Sequence, residues 1–62
     1  MTVKEVIVML EADGWRHIRT KGSHRQFKHP NKIGTVTVAG ADRKELTPGI
    51  KNSIYKQAGW KK

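Results

Sequence analysis

The sequence predicts an α+β fold of order α-β-β-β-α, a three-stranded antiparallel sheet with two helices on one face. Three observations predict it. An apolar stripe at helical spacing (Val3, Val6, Ile7, Leu10) opens the chain. Alternating segments separated by Gly-Ser and Pro-Asn turns follow, and a second helical stripe (Ile50, Ile54, Ala58) comes last.

Thr2-Val3-Lys4-Glu5 has the form of a capping box, in which hydroxyl and carboxylate each accept from the other residue's amide. It starts a helix over residues 3–13, which Gly14 ends and from which Trp15 folds back onto Leu10. Trp15 to Thr20 alternates as a strand, with Arg16, Ile18 and Thr20 on one face and Trp15, His17 and Arg19 on the other. Lys21-Gly22-Ser23 is a hairpin turn, with glycine where a positive φ is needed. His24 to His29 is the second strand, with Arg25, Phe27 and His29 on one face and His24, Gln26 and Lys28 on the other. Pro30-Asn31 is a turn, and Gly34 to Val38 is a β-branched third strand. Ala39 to Glu45 is a polar loop. Thr47-Pro48 then reads as an N-cap followed by proline at the first helical position. The core expected from the sheet is Ile18, Phe27, Val36 and Val38, which places His24 on the open face or its rim.

The 62 residues are expected to form one domain, 1–62. A chain of this size buries only ~60% of the surface its unfolded form exposes. With no cysteine to form disulfides, a partner protein is a natural source of further stability. Thirteen Lys and Arg against five Asp and Glu give a formal charge of +8, densest between Arg16 and Lys32. Such a surface attracts phosphate backbones and releases their counterions, which favours a nucleic-acid partner over a merely solvated basic face. No apolar run approaches the ~18 residues of a membrane span. Lys4 and Glu5 interrupt the first apolar stretch, so no signal peptide is expected and the predicted location is the cytoplasm.

Lys21-Gly22-Ser23-His24 concentrates the candidate chemistry. Cleavage of RNA by its own 2′-hydroxyl needs a base for that proton, an acid for the leaving oxygen and cations for the phosphorane charge. Histidine suits either proton-transfer role, and His24 is the candidate catalytic residue. Lys21 and Arg25 are candidate phosphate clamps, Gly22 and Ser23 allow backbone amides to approach, and Lys28 shares the His24 face. A lone histidine beside a turn is more often a plain surface residue, and spacing alone does not separate the two. His17 and His29 lack the cysteines or carboxylates of a metal site, so neither metal nor cofactor is expected. Trp15 and Trp60 fit helix-end packing better than base stacking. Lys51, Lys56, Lys61 and Lys62 either line phosphates or form a solvated face.

The chain as a whole resembles a known family. The Asp13-Gly14-Trp15 ending, the Lys21-Gly22-Ser23-His24 turn, His29-Pro30, Val36-Thr37-Val38, Lys44-Glu45-Leu46, Pro48-Gly49 and Ser53-Ile54-x-x-Gln57-Ala58-Gly59 occur in the order and spacing of the HicA toxins of toxin–antitoxin systems. The resemblance implies a double-stranded-RNA-binding-domain-like fold and an mRNA interferase that arrests translation without a metal, with His24 as its essential histidine. It also implies a HicB-type antitoxin as partner, with DNA contacted only through the antitoxin complex. Many members carry a Pro-x-His element after the third strand, where this chain has Ala39-Gly40-Ala41-Asp42. The second acid/base group is therefore open among water, Lys21 and His17. The rival readings are a non-catalytic RNA-binding module of the same fold and a pure protein-interaction domain. Against the first rival, helix two lacks the Lys-Lys-x-Ala-Lys cluster with which double-stranded-RNA binders hold phosphates.

Overall fold

In the structure, a computed structural model that describes residues 1–60, the capping box is formed as written. Thr2 Oγ1 accepts from the Glu5 amide at 3.2 Å and Glu5 Oε1 accepts from the Thr2 amide at 2.7 Å, starting α1 (Val3–Asp13). The next two amides find the polar loop: Val3 N–H donates to Lys44 O and Lys4 N–H to Asp42 O, both at 2.9 Å. That loop therefore closes the helix start, whose first amides have no partner within the helix.

At the other end Gly14, at φ +106°, donates to Glu11 O, and the Trp15 amide reaches back to Leu10 O at 2.9 Å. This is the Schellman arrangement. Helix α2 (Pro48–Gln57), capped by Thr47, ends the same way, with Gly59 donating to Lys56 O and Trp60 to Tyr55 O. The two Gly-Trp endings are one capping device used twice.

Between the helices, β1 (Arg16–Lys21), β2 (His24–His29) and β3 (Lys32–Ala39) pair antiparallel in the order β1-β2-β3. Val3, Val6, Ile7 and Leu10 of α1 and Ile54 and Ala58 of the α2 end bury against Phe27, Val36 and Val38, with Trp15 and Leu46 completing the core. The order and layering are those expected from the sequence. Both helices pack on β3, and every residue of β1 stays exposed. Gln57 Oε1 accepts from the Thr37 amide at 3.2 Å and is held by Ser53, so the Ser53/Gln57 pair covers part of the β3 edge.

Three expectations change. Ile18 was expected in the core and is 44% exposed. The β1–β2 register passes from His17↔Phe27 to Arg19↔Gln26, so Ile18 is the extra residue of a β-bulge and drops out of the alternation. Ile50 was placed on one helical stripe with Ile54 and Ala58 and is 45% exposed, whereas Ile54 and Ala58 are buried. Each four-residue step overshoots a full helical turn by about 40°, which carries Ile50 off the face that Ala58 shares with the sheet. The strand limits also move: Trp15 is a buried cap residue outside β1, and β3 begins at Lys32.

Candidate nucleic-acid interface and active site

The hairpin that carries the candidate chemistry is tight. Lys21 and His24 are directly paired across it, leaving Gly22 and Ser23 as a two-residue turn. Gly22 has φ +61° and Ser23 has no positive φ, which fits the type II′ turn that carries glycine first. Ser23 O accepts from the Gly40 amide at 3.0 Å, tying the turn to the end of β3. His24 is exposed, and its imidazole has no hydrogen-bond partner among the described residues. Directly opposed residues carry their Cβ atoms about 5 Å apart on one face, so the Lys21 ammonium and the His24 ring can address a single phosphate.

The bulge at Ile18 rebuilds the rest of this face. Antiparallel partners share a face, so the pairs Arg16↔Lys28, Arg19↔Gln26 and Lys21↔His24 all lie on the side away from the helices. Arg19 Nε donates to Gln26 Oε1 at 3.0 Å, consistent with that placement. Simple alternation separated Arg16 from Arg19 and so missed that both join Lys21, Lys28 and His24. No residue type around Ile18 marks a bulge, since glycine is absent there. The five carboxylates lie elsewhere, on α1 (Glu5, Glu11, Asp13) and in the loop before α2 (Asp42, Glu45). A row of exposed cations with an imidazole at its end, and no carboxylate among its described residues, sets up a positive field that attracts a polyanion.

Of the residues singled out in the sequence, Lys21, Gly22, Ser23, His24 and Lys28 are brought to this face or its turn. Arg25 is not. It pairs with Thr20 and Val38 on the helix side, where its guanidinium donates to Asp42 Oδ1 at 2.7 Å and Gly40 O at 3.2 Å. Neighbours along a strand point to opposite faces, so Arg25 holds the segment after β3 instead. His17, one of the groups left open as the second acid/base residue, is likewise on the helix side, away from His24. Its ring lies 5.4 Å from that of Phe27, with Nε2 2.7 Å from Thr20 Oγ1.

His29 is structural. Its Nδ1 accepts from the Asn31 amide at 2.9 Å, so Nε2 carries the proton it donates to Asp13 O at 2.7 Å. Beside it the Asp13 carboxylate accepts from Lys32 Nζ at 2.7 Å and from the indoles of Trp15 and Trp60 at 3.0 and 3.1 Å. The Lys32 ammonium bond, then the Trp60 indole, hold Asp13 below the ordinary aspartate range despite partial desolvation; the Thr2 amide does the same for Glu5. One carboxylate thus locks both helix ends to the start of β3. Both tryptophans are on the helix side, as the packing interpretation expected. Tyr55 stacks edge-on to Trp60 at 5.2 Å, and Lys51 lies 5.5 Å from the Tyr55 ring. Lys61 and Lys62 lie outside the described residues.

Comparison with known proteins places this arrangement. Among curated proteins none matches the chain. A family model described as "HicA toxin of bacterial toxin-antitoxin" matches residues 3–60, a span that includes both helices, the sheet and the Lys21–His24 turn. The chain belongs to the HicA toxin family of bacterial toxin–antitoxin systems.

Proposed function

We propose that this toxin is a metal-independent endoribonuclease that cleaves mRNA in the cytoplasm and arrests translation, and that a HicB-type antitoxin protein restrains it. The observation that carries the reading is the exposed imidazole of His24, without a hydrogen-bond partner among the described residues, directly across the hairpin from Lys21 on a face whose described residues include cations and no carboxylate. A hard divalent ion would find no acidic donor there, and the cations themselves can meet the phosphorane charge.

In the proposed step His24 takes the proton of a 2′-hydroxyl, or returns one to the leaving oxygen. O2′ bonds to phosphorus as the P–O5′ bond breaks, and the 5′ oxygen takes a proton. The products are a 2′,3′-cyclic phosphate and a 5′-hydroxyl. Lys21 and Lys28 hold the phosphate, while Gly22 and Ser23 set the turn. The remaining acid/base group is water or Lys21, because His17 sits on the opposite side of the sheet with Thr20.

The test is induced expression of wild type and His24→Ala, with RNA integrity, chemical end-groups and cleavage in EDTA as readouts. A positioned acid/base group contributes about 10²–10⁴-fold, so the variant should lose cleavage by that factor while its circular dichroism is unchanged. A 5′-phosphate product or a Mg²⁺ requirement would sink the mechanism. Equal toxicity of the two proteins would leave RNA binding without His24 chemistry.

A further inference from the structure

We propose that the open face of β1 and β2 is a track for the backbone of single-stranded RNA, with Arg16 and Arg19 as phosphate ligands ahead of the Lys21/His24 turn. This rests on the ribonuclease reading and names how that site holds its substrate. The face is a grid of three cross-strand pairs: Arg16 with Lys28, Arg19 with Gln26, and Lys21 with His24. From Lys28 to His24 it extends about 14 Å along the strand, with neighbouring strands about 5 Å apart. Arg16, Arg19, Lys21 and Lys28 are all exposed, and none is paired with a carboxylate among the described residues.

What the face lacks is equally specific. Single-strand binders that hold bases present aromatic side chains on the sheet. Here Phe27 and Trp15 are buried in the core, and Tyr55 and Trp60 pack together at α2. On β3 the face continues with Thr37 beside Gln26 and Ala39 beside His24, small and uncharged. The RNA is therefore held by its phosphates, with the bases turned out, and His24 at the end of the track meets a ribose presented by the chain on either side. The attack that His24 would serve requires a nucleotide free to leave helical geometry, which is why an unpaired strand is the substrate class.

The experiment measures binding of a short 2′-O-methyl RNA oligomer, which cannot be cleaved, by fluorescence anisotropy between 50 and 200 mM salt. Four phosphate contacts on a single strand give a logarithmic salt slope of about −2.8, a loss of about 50-fold over that range. Arg16→Gln/Arg19→Gln should lower the slope to about −1.4, a loss of about 7-fold. Lys51→Gln/Lys56→Gln, which removes the same charge from α2, should leave the wild-type slope. An oligomer with abasic positions should bind within a few-fold of the intact one, whereas a stacked base would cost about 5-fold or more for each base removed. Equal effects of the two charge pairs, or a large abasic loss, overturn the track while wild-type cleavage and its loss in His24→Ala leave the ribonuclease reading standing. Failure of the wild type to bind or cleave any RNA overturns both, and assigns the patch to an acidic protein surface.

Discussion

Gly14→Ala tests how the helix end is coupled to the strand that carries His24. Gly14 sits at φ +106°, and a Cβ there would lie 2.8 Å from His29 Nε2 and 3.3 Å from its Cδ2. Left-handed backbone costs a non-glycine residue about 1–2 kcal/mol. The methyl also pushes the imidazole off Asp13 O, a 2.7 Å hydrogen bond whose loss is worth about 1 kcal/mol. The sum is about 2–3 kcal/mol, against a total of about 3–9 kcal/mol for a chain of this length. In a domain this small it lowers the melting temperature by about 8–24 °C. Urea unfolding followed by tryptophan fluorescence reads it directly, because Trp15 and Trp60 both flank the site. In a His29→Ala background the ring is gone, so Gly14→Ala should cost only the backbone part, about 1–2 kcal/mol. A cost within 0.5 kcal/mol of zero (roughly the scatter of neutral substitutions), or the same cost in both backgrounds, would refute the clash.

Other outcomes follow from the same contacts. Asp13 is held below the ordinary aspartate range when folded, so the stability it contributes is full above the unfolded value of about 3.9 and is lost as pH falls through the folded one. The stability gap between wild type and Asp13→Asn should therefore be widest above about pH 5 and close in stronger acid; a gap independent of pH would show that the carboxylate charge is not what matters. Arg25→Gln removes a half-exposed ion pair and a bond to Gly40 O, and should cost about 0.5–1 kcal/mol in urea while leaving the RNA salt slope unchanged. A fall in that slope would return Arg25 to the phosphate-binding group. His24, exposed and without a hydrogen bond among the described residues, should tolerate alanine with a stability change under about 0.5 kcal/mol, so that any lost cleavage reports on chemistry.

Much of the fold was legible because it depends on neighbours in sequence. Thr2 and Glu5, the two Gly-Trp endings and the Gly22-Ser23 turn act over a few residues, and each formed as its residue types require. His24 opposite Phe27 was likewise a matter of alternation within one strand. Ile18 failed because alternation holds only while the ladder is regular, and a bulge is decided by how β1 meets β2. The convergence of Trp15, Trp60 and Lys32 on Asp13 joins residues 47 apart in sequence, which no local pattern contains.

By itself the sequence determined the element order, the charge, the hairpin that presents His24 and the family resemblance, since these rest on backbone conformational preference, composition and motif spacing. Only the tertiary structure decided which cations stand with His24. The bulge turned Arg16 and Arg19 to its face, the segment after β3 brought Asp42 to Arg25, and His17 settled against Phe27. Faces of a sheet are assigned by pairing between strands, and pairing is a property of the folded chain.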